Sequence, residues 1–148
     1  MLRFIDDDLR RWQDGTRRKP LILRGARQVG KTWSIKEFGK KRFEYLALVD
    51  LEKNQALRKL FDGDLKVTRI CSDLEVLLQQ KITPGKTLLF FDEIQACSRA
   101  ITALRYFYEE MPELHVVAAG SLLEFAFEES SSSSAGGNWC ANHLTIGV

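Results

Sequence analysis

Apolar residues at Leu2, Ile5, Leu9 and Trp12 recur every three to four positions. That spacing predicts an amphipathic helix over residues 2–13 with its apolar stripe on the domain. Gly15 and Thr16 break it, and Lys19-Pro20 leads into the short apolar run Leu21 to Arg24, which reads as a buried strand. A helix follows from near Gly30 to about Lys41. Phe43 to Asp50 is rich in strand formers and predicts a second strand. Asn54 to Phe61 reads as a short helix stopped by Gly63, and Lys66 to Ile70 as an extended piece. Ser72 with Glu75 forms an S-x-x-E capping box, which opens a helix with Leu74, Leu77 and Leu78 facing inward and ending before Pro84-Gly85.

The second half of the chain repeats the alternation. Thr87 to Phe91 is a continuous apolar run, as in parallel strands covered on both faces. Ser98 is placed to cap a helix carrying Ile101, Leu104, Phe107 and Met111 on one face, and Pro112 stops it. His115 to Ala119 is another apolar strand, and Leu122 to Glu128 a last helical piece. Strands alternating with helices of this length predict an α/β domain with a mainly parallel sheet flanked by helices on both faces. From Ser130 the composition changes to serine and glycine, the signature of a flexible linker. The predicted division is therefore a core over residues 1–128 and a low-complexity or non-native tail over 129–148, whose end forms a short strand or nothing ordered.

The strand at Leu21–Arg24 and the helix after it enclose Gly25-Ala26-Arg27-Gln28-Val29-Gly30-Lys31-Thr32, a G-x-x-x-x-G-K-T pattern. Between a strand and a helix it means a phosphate-binding loop. Its glycines let backbone N–H groups turn inward on phosphate oxygens, and the helix start presents further N–H groups and the positive end of its dipole. Lys31 is expected to reach the β- and γ-phosphates, and the Thr32 hydroxyl to ligate Mg²⁺. Trp33, on the first helical turn, is counted with the loop among the nucleotide-binding residues, with packing rather than base stacking as its main expected task.

Asp92-Glu93 ends the apolar run of the Thr87 strand. Ligands of open α/β sheets sit at the carboxyl ends of the strands, so Asp92 is expected to face the Mg²⁺ held by Thr32. Glu93 is placed to orient and deprotonate an attacking water. A paired Asp-Glu suits nucleotide hydrolysis better than phosphate transfer. Ser121 follows the His115 strand, where a hydroxyl can sense the γ-phosphate or cap the next helix. Gln95 and Arg27 are weaker candidates for contacting phosphate or a neighbouring subunit. His115 has no companion at metal or triad spacing and reads as structural or exposed. No N-K-x-D base-reading motif occurs, which leaves adenine as the default base and ATP with Mg²⁺ as the expected ligands.

Composition adds little but excludes much. In 148 residues, 45% hydrophobic and 28% charged, a net charge of +2 gives no drive toward nucleic acid or an anionic membrane. Cys71, Cys97 and Cys140 show neither C-x-x-C nor Cys/His metal spacing and read as reduced thiols. The acidic start after Ile5 is no secretory signal, and no apolar run approaches the ~20 residues that span a bilayer. The expected location is cytoplasmic.

Leu21 to Thr32, Phe90-Phe91-Asp92-Glu93-Ile94-Gln95 and Ala118-Ala119-Gly120-Ser121-Leu122-Leu123 together resemble a family of prokaryotic AAA-type ATPases, whose members are commonly named only ATP-binding proteins. The resemblance covers about residues 2–128. It implies a three-layer, AAA-like P-loop NTPase, with Lys31 and Thr32 in the Walker A role, Asp92 and Glu93 in the Walker B role, and Ser121 at the sensor position. In that family, further sheet and lid elements and a C-terminal domain follow. The chain departs from the pattern after Glu128, so the expected fold lacks its last strand and lid, leaves the Leu21 strand at the sheet edge, and puts ATPase activity in question. The partners implied are a nucleotide and a second copy or protein partner. A non-catalytic nucleotide-binding module, an inactive fragment, and a small-molecule P-loop kinase remain alternatives.

Overall fold

The computed structural model describes residues 2–15, 19–24, 30–120 and 144–147. They form α1 (Leu2–Asp14), β1 (Leu21–Arg24), α2 (Lys31–Arg42), β2 (Tyr45–Asp50), α3 (Gln55–Lys59), α4 (Val67–Leu78), β3 (Thr87–Asp92), a 3₁₀ turn (Ile94–Ala96), α5 (Ser98–Glu110), β4 (His115–Gly120) and β5 (Leu144–Gly147). The sheet order is β2-β3-β4-β1-β5, and every pairing is parallel. The α/β class read from the alternating pattern is the class observed.

Strand alternation divides the core into two layers. Leu21, Leu23, Leu88, Phe90, Val117 and Ala119 face α1 and α2, where they meet Leu9, Trp12, Ile35 and Phe38. Ile22, Leu89, Phe91, Val116 and Ala118 face the other way and meet Leu57, Ile70, Leu74, Leu104 and Phe107. β3 and β4 are buried along their whole length because helices cover both faces. Gly39 sets the distance of α2 from the sheet: a Cβ there would stand 2.9 Å from Leu46 Cδ1 and 3.2 Å from Leu88 Cδ2. His115 is buried, with its ring edge-on to Trp12 and Phe43 at 5.5 and 4.9 Å.

Several local expectations are corrected. Lys66 to Ile70 is not extended; α4 begins at Val67, five residues before Ser72, and its N-cap is Lys66. Burial decides this: Val67, Ile70, Cys71 and Leu74 sit at i, i+3, i+4 and i+7 and all face the core. That register leaves Leu77 48% exposed, and frees Glu75 to accept from the Ile82 amide rather than close a capping box. Ser98 is the first residue of α5, not its cap, which is Cys97. α3 ends at Lys59 with Leu60 as its C-cap in right-handed conformation, so Gly63 does not stop it.

The largest correction is at the sheet edge. Leu144–Gly147 pairs in parallel with Leu21–Arg24, so β1 lies between β4 and β5 and the last strand position is filled. Four residues, Leu144 to Gly147, suffice, because the β1 edge offers unpaired N–H and C=O groups that a parallel strand satisfies. The helical piece expected at Leu122 to Glu128 lies outside the described residues. No described helix is long and apolar enough to cross a membrane.

Candidate functional site

Across the sheet the strands run from β2 at one edge through β3 and β4 to β1, so β4 separates β1 from β3. The carboxyl ends of β1 and β3 therefore flank one crevice, as in other open α/β sheets. Gly30 has a φ of 83°, in the left-handed region that favours glycine. Gly30 is the N-cap of α2, and its carbonyl accepts from the Ser34 amide at 3.0 Å. Lys31 and Thr32 open the helix, and Lys31 is buried.

Thr32 and Asp92, 60 residues apart in sequence, meet here. The Thr32 hydroxyl donates to the Asp92 carboxylate, 3.0 Å from Oδ2 and 3.2 Å from Oδ1. Asp92 Oδ1 also accepts from the Glu93 amide at 3.0 Å. Burial pushes the Asp92 carboxyl above its ordinary range, the Thr32 hydroxyl pulls it back, and the charges of Glu93 and Asp50 push it up again. A hydroxyl, a carboxylate and surplus negative charge are the donor set that a small hard cation completes with phosphate oxygens and water. Among the described residues no group of three or more His, Cys, Asp or Glu is arranged to hold a metal ion.

Asp50 was not singled out in the sequence. It ends β2 directly opposite Asp92 in the β2–β3 register, and its Oδ1 accepts from the Glu52 and Lys53 amides. The signal was present: Asp50 closes an apolar strand, as Asp92 does. Glu93 takes a left-handed conformation, φ 53°, and its carboxylate accepts from Gln95 Nε2 at 2.5 Å. Gln95 thus contacts the acid beside the site. Trp33 is 56% exposed, which corrects its expected packing role: α2 turns Lys31, Ser34, Ile35 and Phe38 inward, and Trp33 outward toward a groove it shares with Asp6 and Arg10 of α1. Gly25, Ala26, Arg27, Gln28, Val29 and Ser121 lie outside the described residues.

The sequence pattern of an AAA domain matches residues 17–143, most of the chain. The chain belongs to the AAA domain family. This AAA domain is similar in fold to a chain in the structure of Drosophila ORC bound to GC-rich DNA and Cdc6, with a TM-score of 0.56 and 11% identity. The match covers 99% of this chain and 56% of that one, so the AAA domain described here spans little more than half of that chain's length. No curated protein matches the sequence. Family and fold together make the chain a P-loop NTPase core of the AAA type.

Proposed function

We propose that this AAA domain binds ATP with Mg²⁺ and hydrolyses it. The observation that carries the reading is the hydrogen bond from Thr32 to Asp92, which joins the end of the phosphate loop to the end of β3. Lys31 and the loop amides hold the phosphates, and Thr32 and Asp92 hold Mg²⁺, which when bound neutralises phosphate charge. Glu93 takes a proton from water as the water oxygen bonds to the γ-phosphorus. The bond from that phosphorus to the β–γ bridging oxygen breaks, and ADP and phosphate leave. An arginine from a second copy or protein partner would accelerate the step, an effect worth ~10³–10⁵ in rate in related chemistry. Ser121 is assigned the γ-phosphate sensor role. The ATPase core is assigned to residues 1–128 and the tail to 129–148, with Leu144–Gly147 pairing beside β1.

The DNA in the Drosophila structure belongs to that assembly; a net charge of +2 gives this chain no general attraction to a polyanion. The test is Mg²⁺-dependent ATP binding and phosphate release by the purified chain. Lys31→Ala should abolish binding. Glu93→Gln should retain binding and slow release by about 10²–10⁴-fold, the ordinary range for losing a general base. ATP binding by Lys31→Ala at the parent's affinity would refute the site assignment. Binding without phosphate release by the parent would make the chain a nucleotide-binding module.

A further inference from the structure

Two described residues other than glycine have positive φ, Gln79 and Glu93. Gln79 is the C-cap of α4, where a left-handed residue is an ordinary helix ending. Glu93 is different: it follows a fully buried strand and precedes a single 3₁₀ turn. Strained backbone of this kind persists where the surroundings over-determine it, and it gathers at functional sites. Three hydrogen bonds hold Glu93 there. Its amide donates to Asp92 Oδ1 at 3.0 Å, its carbonyl accepts from the Ala96 amide at 3.0 Å, and its Oε2 accepts from Gln95 Nε2 at 2.5 Å.

We propose that Gln95 is a positioning residue for Glu93: its side-chain amide ties down one carboxylate oxygen and leaves the other for the attacking water. The proposal rests on the reading of Glu93 as general base. The amide can face only one way. Turned over, its carbonyl would oppose the carboxylate, so the nitrogen must point at Glu93. The consequence is visible, because Gln95 Oε1 is buried without a hydrogen-bond partner among the described residues. An acceptor left unsatisfied opposes folding, and holding Glu93 is what this arrangement achieves. The left-handed turn makes the contact feasible. It reverses the chain at Glu93, so a side chain two residues later reaches back to the carboxylate. A free glutamate samples many rotamers, and a general base works only within hydrogen-bond reach of its proton. An amide donor supplies that restraint without a titrating group of its own.

The experiment is a double-mutant cycle with a spectroscopic arm. Gln95→Leu keeps the side-chain bulk and removes the donor. It is expected to lower kcat for ATP hydrolysis by about 10–100-fold, the range for residues that orient a functional group, with KM within about twofold. On a Glu93→Gln background the same substitution should change kcat by less than about twofold, because two residues acting as one unit are not additive. In the parent, the Gln95 side-chain amide proton should resonate downfield of the usual glutamine range and return to it in Glu93→Ala, with no nucleotide present. A full additional loss in the double variant, a change confined to KM, or an ordinary amide shift in the parent overturns the proposal. Parental turnover in Gln95→Leu beside slowed turnover in Glu93→Gln overturns it and leaves Glu93 as base. Parental turnover in Glu93→Gln overturns both.

Discussion

At the scale of single residues, the site rests on one oxygen pair. Thr32 Oγ1 lies 3.0 Å from Asp92 Oδ2, and Asp92 keeps only 9% of its surface exposed. The hydroxyl donates to the carboxylate, and so partly offsets the burial that raises the Asp92 pKa. Thr32→Val keeps the shape and removes the donor. In the absence of ligand it should destabilise the fold by about 1–3 kcal/mol, the typical cost of leaving a buried acceptor unsatisfied. The same variant loses a proposed Mg²⁺ ligand, so ATP binding should lose most of its dependence on Mg²⁺. Urea unfolding measures the first effect and titration calorimetry with and without Mg²⁺ the second. Unchanged stability and unchanged Mg²⁺ dependence together would mean that the contact does nothing. That Thr32 and Asp92 meet was legible in the sequence, because the Gly-Lys-Thr triplet and the acid ending an apolar strand each have a chemical reason to be where they are. The hold of Gln95 on Glu93 was not, since it depends on a backbone reversal that no residue type at position 93 announces.

Elements are set by burial more than by local signals, and α4 makes the point. Its first residues, Val67 and Thr68, are β-branched and favour strands, yet Val67, Ile70, Cys71 and Leu74 place one unbroken stripe on the core. A plausible capping box five residues in was outweighed by that stripe. Where both signals agree, reading the element from sequence succeeds: β3 and β4 were legible as fully apolar runs, and Pro112 as the stop of α5. Gly39 carries a second lesson. Nothing local marks it as special within α2, but Leu46 and Leu88 close the space where a side chain would go. Gly39→Val should therefore destabilise the domain by about 1–3 kcal/mol through overpacking, despite removing a poor helix former. Gly39→Ala, which adds one methyl against the flexible end of Leu46, should cost less. Thermal unfolding ranks the two, and a Gly39→Val protein as stable as its parent would show that α2 does not lie this close to the sheet.

For the whole molecule, the sheet joins residues from both ends of the chain. β1 sits between β4 and β5, so the strand that precedes the proposed phosphate loop is paired on both sides. A short strand was one of the two readings of the chain's last residues; that it would pair in parallel with β1 was not legible, because four residues carry no signal of their partner. Behind the sheet lies the larger core layer, and Cys71 in α4 belongs to it, 6% exposed. Burial, with the charge of Glu75 adding to it, pushes the Cys71 thiol up to about 12 from an ordinary value of 9.0. The sign of the linkage follows. The unfolded chain ionises this thiol first, so its contribution to stability is complete below about pH 9 and is lost as pH rises from 9 toward 12. Through that window one thiol removes at most ~1.4 kcal/mol of stability per pH unit. Cys71→Ala abolishes the titration and leaves a small cavity, so it should be less stable than the parent at pH 7 and lose less stability between pH 9 and pH 11. Urea midpoints for the two proteins across that range decide the matter. Parallel curves would mean that Cys71 ionises as readily in the folded molecule as in the unfolded chain, and that the layer of helices behind β3 admits water.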